Sequence, residues 1–191
     1  NMKDMFNYNT RFNQDIDSWD VTSVTNMQGM FRGGIFDQNI NSWDPLLVQN
    51  MYQMFRQSDF NQPIGNWDVS SVTDMREMFL LSPFNQDISN WNTGNVVSMY
   101  QMFYGTPFNQ NIGSWDISSV TNMSTMFGNT NGAGAATLSV ANYDALLIGW
   151  AAQTVQQNVP FSAGNSQYSS AAINAKNTLV TAGWTITDRG L

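Results

Sequence analysis

Cysteine and histidine are both absent from this 191-residue chain, and Glu77 is its single glutamate. Without thiols and imidazoles there is no Ser-His-Asp or Cys-His nucleophile system, no zinc site of the usual type and no haem held by His. Disulfides and thiol redox chemistry are excluded as well, although a missing cysteine is compatible with both a reducing cytosol and a secreted protein that avoids thiols. Charge is scarce: only 11% of residues are Asp, Glu, Lys or Arg, against roughly 25% in ordinary globular chains. The net charge of -7 gives nothing to attract nucleic acid or an anionic membrane. Nor is there an apolar run of about 18 residues, the length a membrane-spanning helix needs.

What the chain has in quantity is 12 Met, 12 Phe and 7 Trp, and these are not scattered. Phe12, Phe36, Phe60, Phe84 and Phe108 recur every 24 residues. In the same register stand Trp19, Trp43, Trp67, Trp91 and Trp115, the Met27 and Met30 columns, and Phe31 with its equivalents. Each unit reads F-N-Q-x-I-x-x-W-D-V-S-S-V-T-x-M-x-x-M-F followed by four variable residues. Met2, Met5 and Phe6 are the tail of a preceding unit, one residue out of step.

Such a period predicts stacking, because one short unit buries too little apolar surface to offset the entropy of ordering it. The fold expected is an α/β solenoid: a right-handed stack with one short strand and one short helix or turn per repeat, and a parallel sheet on one side. The segment 15–21 reads as the strand, and M-x-x-M-F as one helical turn or a short helix capped by Thr25 or Asn26. Phe12, Trp19, Met27, Met30, Phe31, Phe36, Trp43, Phe60, Trp67, Phe84, Trp91, Phe108 and Trp115 form the expected core. The Asn13 and Gln14 columns form a polar ladder between repeats.

The repeats span 1–131: a partial unit over 1–11 and full units over 12–35, 36–59, 60–83, 84–107 and 108–131. The small-residue stretch 128–136 reads as a loop. Beyond it, 132–191 is an α/β cap continuous with the stack. Helices are expected over 139–154, with Ser139 as N-cap, and over 170–182, ended by Gly183. Strands are expected at 158–161 and 184–187. The chain begins in mid-pattern, as a piece of something longer.

The unit at 60–79, F-N-Q-P-I-G-N-W-D-V-S-S-V-T-D-M-R-E-M-F, resembles the BspA-like, DUF285 leucine-rich-repeat surface proteins. The resemblance covers 1–131, and segments 142–150 and 183–188 are similar to the C-terminal end of such arrays in Bacteroidota-type bacteria. It implies a secreted or surface-displayed bacterial protein that attaches to host or neighbouring-cell surface proteins or glycans. No catalytic residue set comes with it. The second and fourth units depart from the pattern at 44–48 and 91–94.

Function in such an array belongs where the repeat varies, since the constant columns are committed to packing. One variable column runs Gln28, Tyr52, Arg76, Tyr100, Ser124, and another runs Arg32, Arg56, Leu80, Tyr104, Gly128. Tyr and Arg are the types enriched at binding hot spots. Tyr52, Arg56, Arg76, Leu80, Leu81, Tyr100 and Tyr104 are therefore the candidate ligand-facing patch. The opposite candidate is the small, polar, acidic surface of the Asp15 and Asp17 columns, suited to a basic protein or a sugar. Asp15 with Asp17 is also the weak candidate for Ca2+, the one cofactor considered, whereas Asp20-type residues read as turn formers. The function expected is a non-enzymatic adhesion module, with a structural spacer and a carbohydrate-binding module as alternatives.

Overall fold

The structure, a computed structural model, describes residues 1–128 and 136–191; most of the expected loop, and the boundary between repeats and cap, lie outside the described residues. Within 1–128 the backbone is built from turns, joined from repeat to repeat by single parallel bridges linking Asn26, Asn50, Asp74, Ser98 and Asn122. The strand expected over 15–21 is not there. Its place is taken by local turns, because the Asp15 and Asp20 carboxylates accept the N–H of Asp17 and Thr22, each at 3.0 Å. These short side chains offer the backbone a partner two residues away and so compete with any ladder. The parallel contact lies just before Met27 instead and is one residue wide.

The M-x-x-M-F half resolves to turns rather than helix. Met30 and Arg32 donate back to Met27 and Gly29 at 3.2 Å, whereas Met27, Gly29, Phe31 and Gly33 donate forward to Asn50, Tyr52, Met54 and Arg56 at 2.8–3.0 Å. In an α-helix the N–H groups beyond the first turn would bond four residues back within the segment. Here alternate groups tie a repeat to the next one. The alternation requires left-handed backbone at the Gly29 column, and Gln53, Glu77 and Gln101 adopt it with φ of 59°, 55° and 54°.

Apolar columns run through the middle. Phe31 stacks on Phe36, the first residue of the next unit, at 4.0 Å and on Phe55, its own counterpart there, at 5.7 Å. Trp43, Trp67, Trp91 and Trp115 each donate Nε1 at 3.0 Å to the carbonyl of an Ile one repeat back. The Asn13 column works as a clamp: Asn61 Oδ1 accepts Asn85 N at 2.9 Å and Gln86 Nε2 at 3.1 Å. Two expected core residues differ. Trp19 is 37% exposed and Phe12 is only partly buried, lying on Phe6 at 3.7 Å. Their columns begin at that repeat, whereas 1–11 extends only the Met and Phe31 columns.

The regular elements make a small α/β arrangement at the other end. Helix α1 (Val140–Ala151) starts at Ser139, whose side chain accepts Asn142 N. Strand β1 (Pro160–Ser162), helix α2 (Ile173–Thr181), entered through a 3-10 turn at Ser170–Ala172, and strand β2 (Thr185–Thr187) follow. β1 and β2 pair in parallel, with Phe161 opposite Ile186. Gly183, at φ 85°, ends α2. Both helices and both strands thus fall inside or within a residue of the segments expected.

The cap docks by imitating a further repeat. Ser139 N and Asn142 Nδ2 take the Asn109 Oδ1 at 2.8 and 3.0 Å, and Trp150 Nε1 reaches Ile112 O at 3.2 Å. A helix thereby reproduces the bonds made by the Asn, Gln and Trp columns. β1 completes the imitation: Pro160 O and Ser162 O accept Met123 N and Phe127 N at 3.0 and 3.1 Å. Among the described residues no helix is long and apolar enough to cross a membrane.

Candidate functional site

The turn half of each repeat carries the variable columns, and the structure joins part of the expected patch into one network. The Arg76 guanidinium lies 4.9 Å over the Tyr52 ring and binds the Asp74 carboxylate through Nε at 2.9 Å and Nη2 at 2.6 Å. Gln53 Nε2 donates to Tyr52 Oη and to Glu77 Oε2, both at 2.9 Å. Arg56 pairs with the same Glu77 oxygen at 3.3 Å, and Arg32 Nη1 reaches Gln53 Oε1 at 2.9 Å. Arg32 in turn lies over Tyr8 at 5.1 Å.

Three of the chain's 7 basic residues are therefore gathered here. The Nε atoms of Arg32 and Arg56 are buried without a partner. Partial burial, then the Glu77 carboxylate, raises the Tyr52 hydroxyl above the ordinary tyrosine range. The bond to Asp74 raises Arg76 further, so its charge is permanent.

Tyr100 and Tyr104 lie in the next repeat, where their carbonyls accept Glu77 N at 2.8 Å and Leu81 N at 2.7 Å. Leu81 is 46% exposed and covers Gly105. Leu80 does not belong to the surface: it is 5% exposed, its side chain turned into the protein. Gln53 and Glu77 hold the network together; Glu77 stands out only as the single glutamate, and nothing in residue type singles out Gln53. Their column reads Gly29, Gln53, Glu77, Gln101, Thr125, and as a column its signal is that it varies.

On the opposite edge Asp15, Asn39, Asp87 and Asn111 each close a local turn on the N–H two residues on, at 2.9–3.1 Å. Asp17 accepts Ser42 N at 3.2 Å. Among the described residues no three acidic side chains gather where a cation would sit, and the Asp15 and Asp17 carboxylates each have an oxygen engaged in holding backbone. Where this edge meets α1 there is an open polar cleft of about 410 Å³, lined by Asp87, Ser89, Gln110, Asn111, Ser114 and Asn142. Ser89 N–H and hydroxyl hold the Asp87 carboxyl below the ordinary range.

No curated protein and no solved structure matches this chain. A family model described as "Mycoplasma protein of unknown function, DUF285" matches it over residues 1–81 and again over 57–157. The two matches overlap at 57–81, the end of the second unit and most of the third, and together they take in all five complete repeats and helix α1. The chain belongs to the DUF285 family.

Proposed function

We propose that this chain is a non-enzymatic bacterial binding module, secreted or displayed at a cell surface, that adheres to a protein partner through its variable turn face. Its repeats then form a leucine-rich-repeat-like, right-handed solenoid whose constant columns are the scaffold. The observation that carries the reading is the network of Tyr52, Arg76, Arg56 and Glu77. Tyr and Arg are the residue types on which interface energy concentrates. Here their rotamers are already fixed by contacts within the protein, so less side-chain entropy is lost on binding. The absence of His and Cys excludes Ser-His-Asp and Cys-His nucleophile systems and zinc sites of the usual type, in keeping with a module that works by surface shape.

The experiment is attachment of the purified chain to matrix proteins and to cells, with Tyr52→Ala combined with Tyr100→Ala. Attachment is expected to fall by at least about tenfold, the loss of one hot-spot side chain, while the thermal melt stays cooperative. Attachment unchanged in a folded double variant would reject this face. No attachment to any partner would favour a spacer that positions other modules.

A further inference from the structure

From the cleft between the last repeats and the cap we infer that the protein holds a second binding site, selective for a neutral sugar ring. The cleft exists because the cap imitates a repeat with a helix. A helix about 10 Å across replaces backbone that would otherwise follow at the spacing of neighbouring strands, about 4.8 Å. The row of turns ending at Asn111 and Gly113 therefore stops short against α1. Gly113 and Gly149 bring the helix in so closely that a Cβ on either would strike the other's segment. Beside that contact the seam opens to about 410 Å³.

All six lining residues are polar, and five of them have one part committed and one part free. Gln110 Nε2 is held by Asn85 O and Oδ1 at 3.0 and 2.9 Å, leaving Oε1 as an acceptor. Asn142 Nδ2 is held by Asn109 O and Oδ1 at 2.8 and 3.0 Å, leaving its Oδ1. Asn111 Oδ1 accepts Gly113 N at 3.0 Å, leaving the two Nδ2 protons. The Ser114 hydroxyl donates to Ser89 O at 3.0 Å and still accepts. Asp87 Oδ1 accepts Ser89 N at 2.9 Å, and the exposed carboxylate keeps further acceptor sites.

These commitments fix the side chains before any ligand arrives, and the groups left over are four acceptors, on Gln110, Asn142, Ser114 and Asp87, beside one donor, the Asn111 amide. A vicinal diol, whose hydroxyls donate and accept at once, satisfies such a set. The single charge is the Asp87 carboxylate and the lining holds no cation, so phosphate, sulfate and carboxylate ligands are repelled. Because Asp87 stays ionised, it accepts the stronger, charge-assisted bond from a sugar hydroxyl.

The test is titration of the intact chain with neutral mono- to tetrasaccharides ending in glucose, galactose or N-acetylglucosamine, and with sulfated and sialylated counterparts, followed by chemical-shift mapping. Asp87→Asn keeps the turn, since Asn39 and Asn111 close the same turn in their own repeats, and is expected to weaken binding roughly tenfold. Ser114→Trp fills the cleft from an exposed position and should abolish binding with the melt unchanged. Tyr52→Ala, on the other face, should leave sugar binding intact. The inference is overturned if no neutral sugar binds, if charged glycans bind better, or if both cleft variants bind as the parent does.

Discussion

One amide oxygen per repeat decides how adjoining repeats register. Asn61 Oδ1 receives Asn85 N and Gln86 Nε2, and Asp37 one repeat earlier does the same for Asn61 N and Gln62 Nε2 at 2.9 and 3.0 Å. What matters is therefore the acceptor and not the amide. Asn61→Ala leaves a part-buried N–H unpaired and is expected to cost about 1–3 kcal/mol. Asn61→Asp should stay within about 1 kcal/mol of the parent. Urea midpoints at neutral pH measure both, and equal losses would show that the ladder needs the amide itself. The clamp was legible in the sequence, because two amide columns in register with a core imply bonds along the stack. The left-handed backbone at Gln53, Glu77 and Gln101 was not. Those residue types disfavour it, and it follows only from bonds to a repeat 24 residues away, which no local pattern reports.

At the scale of elements the cap was the most readable part and the repeat interior the least. Ser139 and Gly183 announce the helix ends by chemistry local to them, and the structure keeps both. M-x-x-M-F places its apolar side chains inward whether the backbone is helical or turned, so the spacing could not choose. The docking of α1 depends on Gly149, whose added Cβ would run into the Gly113 carbonyl. Gly149→Ala is expected to destabilise by about 1–3 kcal/mol through displacement of the helix, read as a lowered melting temperature. A melt equal to the parent's would show that the helix can slide without loss. Beneath it Tyr143 donates to Asp188 at 2.6 Å, and Lys176 holds the same carboxylate at 2.8 Å. Burial, then Asp188, pushes Tyr143 well above the tyrosine range. The unfolded chain releases that proton near pH 10 and the folded chain keeps it. Unfolding then sheds a proton, so stability is full below about pH 10 and falls as the pH climbs beyond it. Tyr143→Phe should lower stability at neutral pH and flatten the alkaline decline in denaturation midpoints between pH 8 and 11.

For the molecule as a whole, the period told how repeats associate before any element was assigned. Columns of Phe, Trp and Met at constant spacing bury against the neighbouring repeats. The exception is instructive: Trp19 belongs to its column in sequence and yet is half open, because a column member needs a neighbour on both sides. The same reasoning applies at the cap. Deleting 137–191 uncovers Phe127 and strips Met123 N and Phe127 N of Pro160 O and Ser162 O. The shortened chain is expected to elute as aggregates in size-exclusion chromatography and to lose its sharp melt; a well-behaved monomer would show the cap to be dispensable. The variable face offers no comparable guide, since a column that changes residue type announces freedom rather than purpose. Gln49, Thr73, Val97 and Thr121 donate back to the preceding repeat, but from Met27 to Gly33 and in the equivalent turns the bonds run the other way and outnumber them, N–H groups to the successor and carbonyls to the predecessor. Their dipoles add along the axis as they do in a helix, giving the stack an electrical sense. Two such carbonyl faces brought together would set oxygen against oxygen, so the same ladder that binds repeats together disfavours that pairing between molecules.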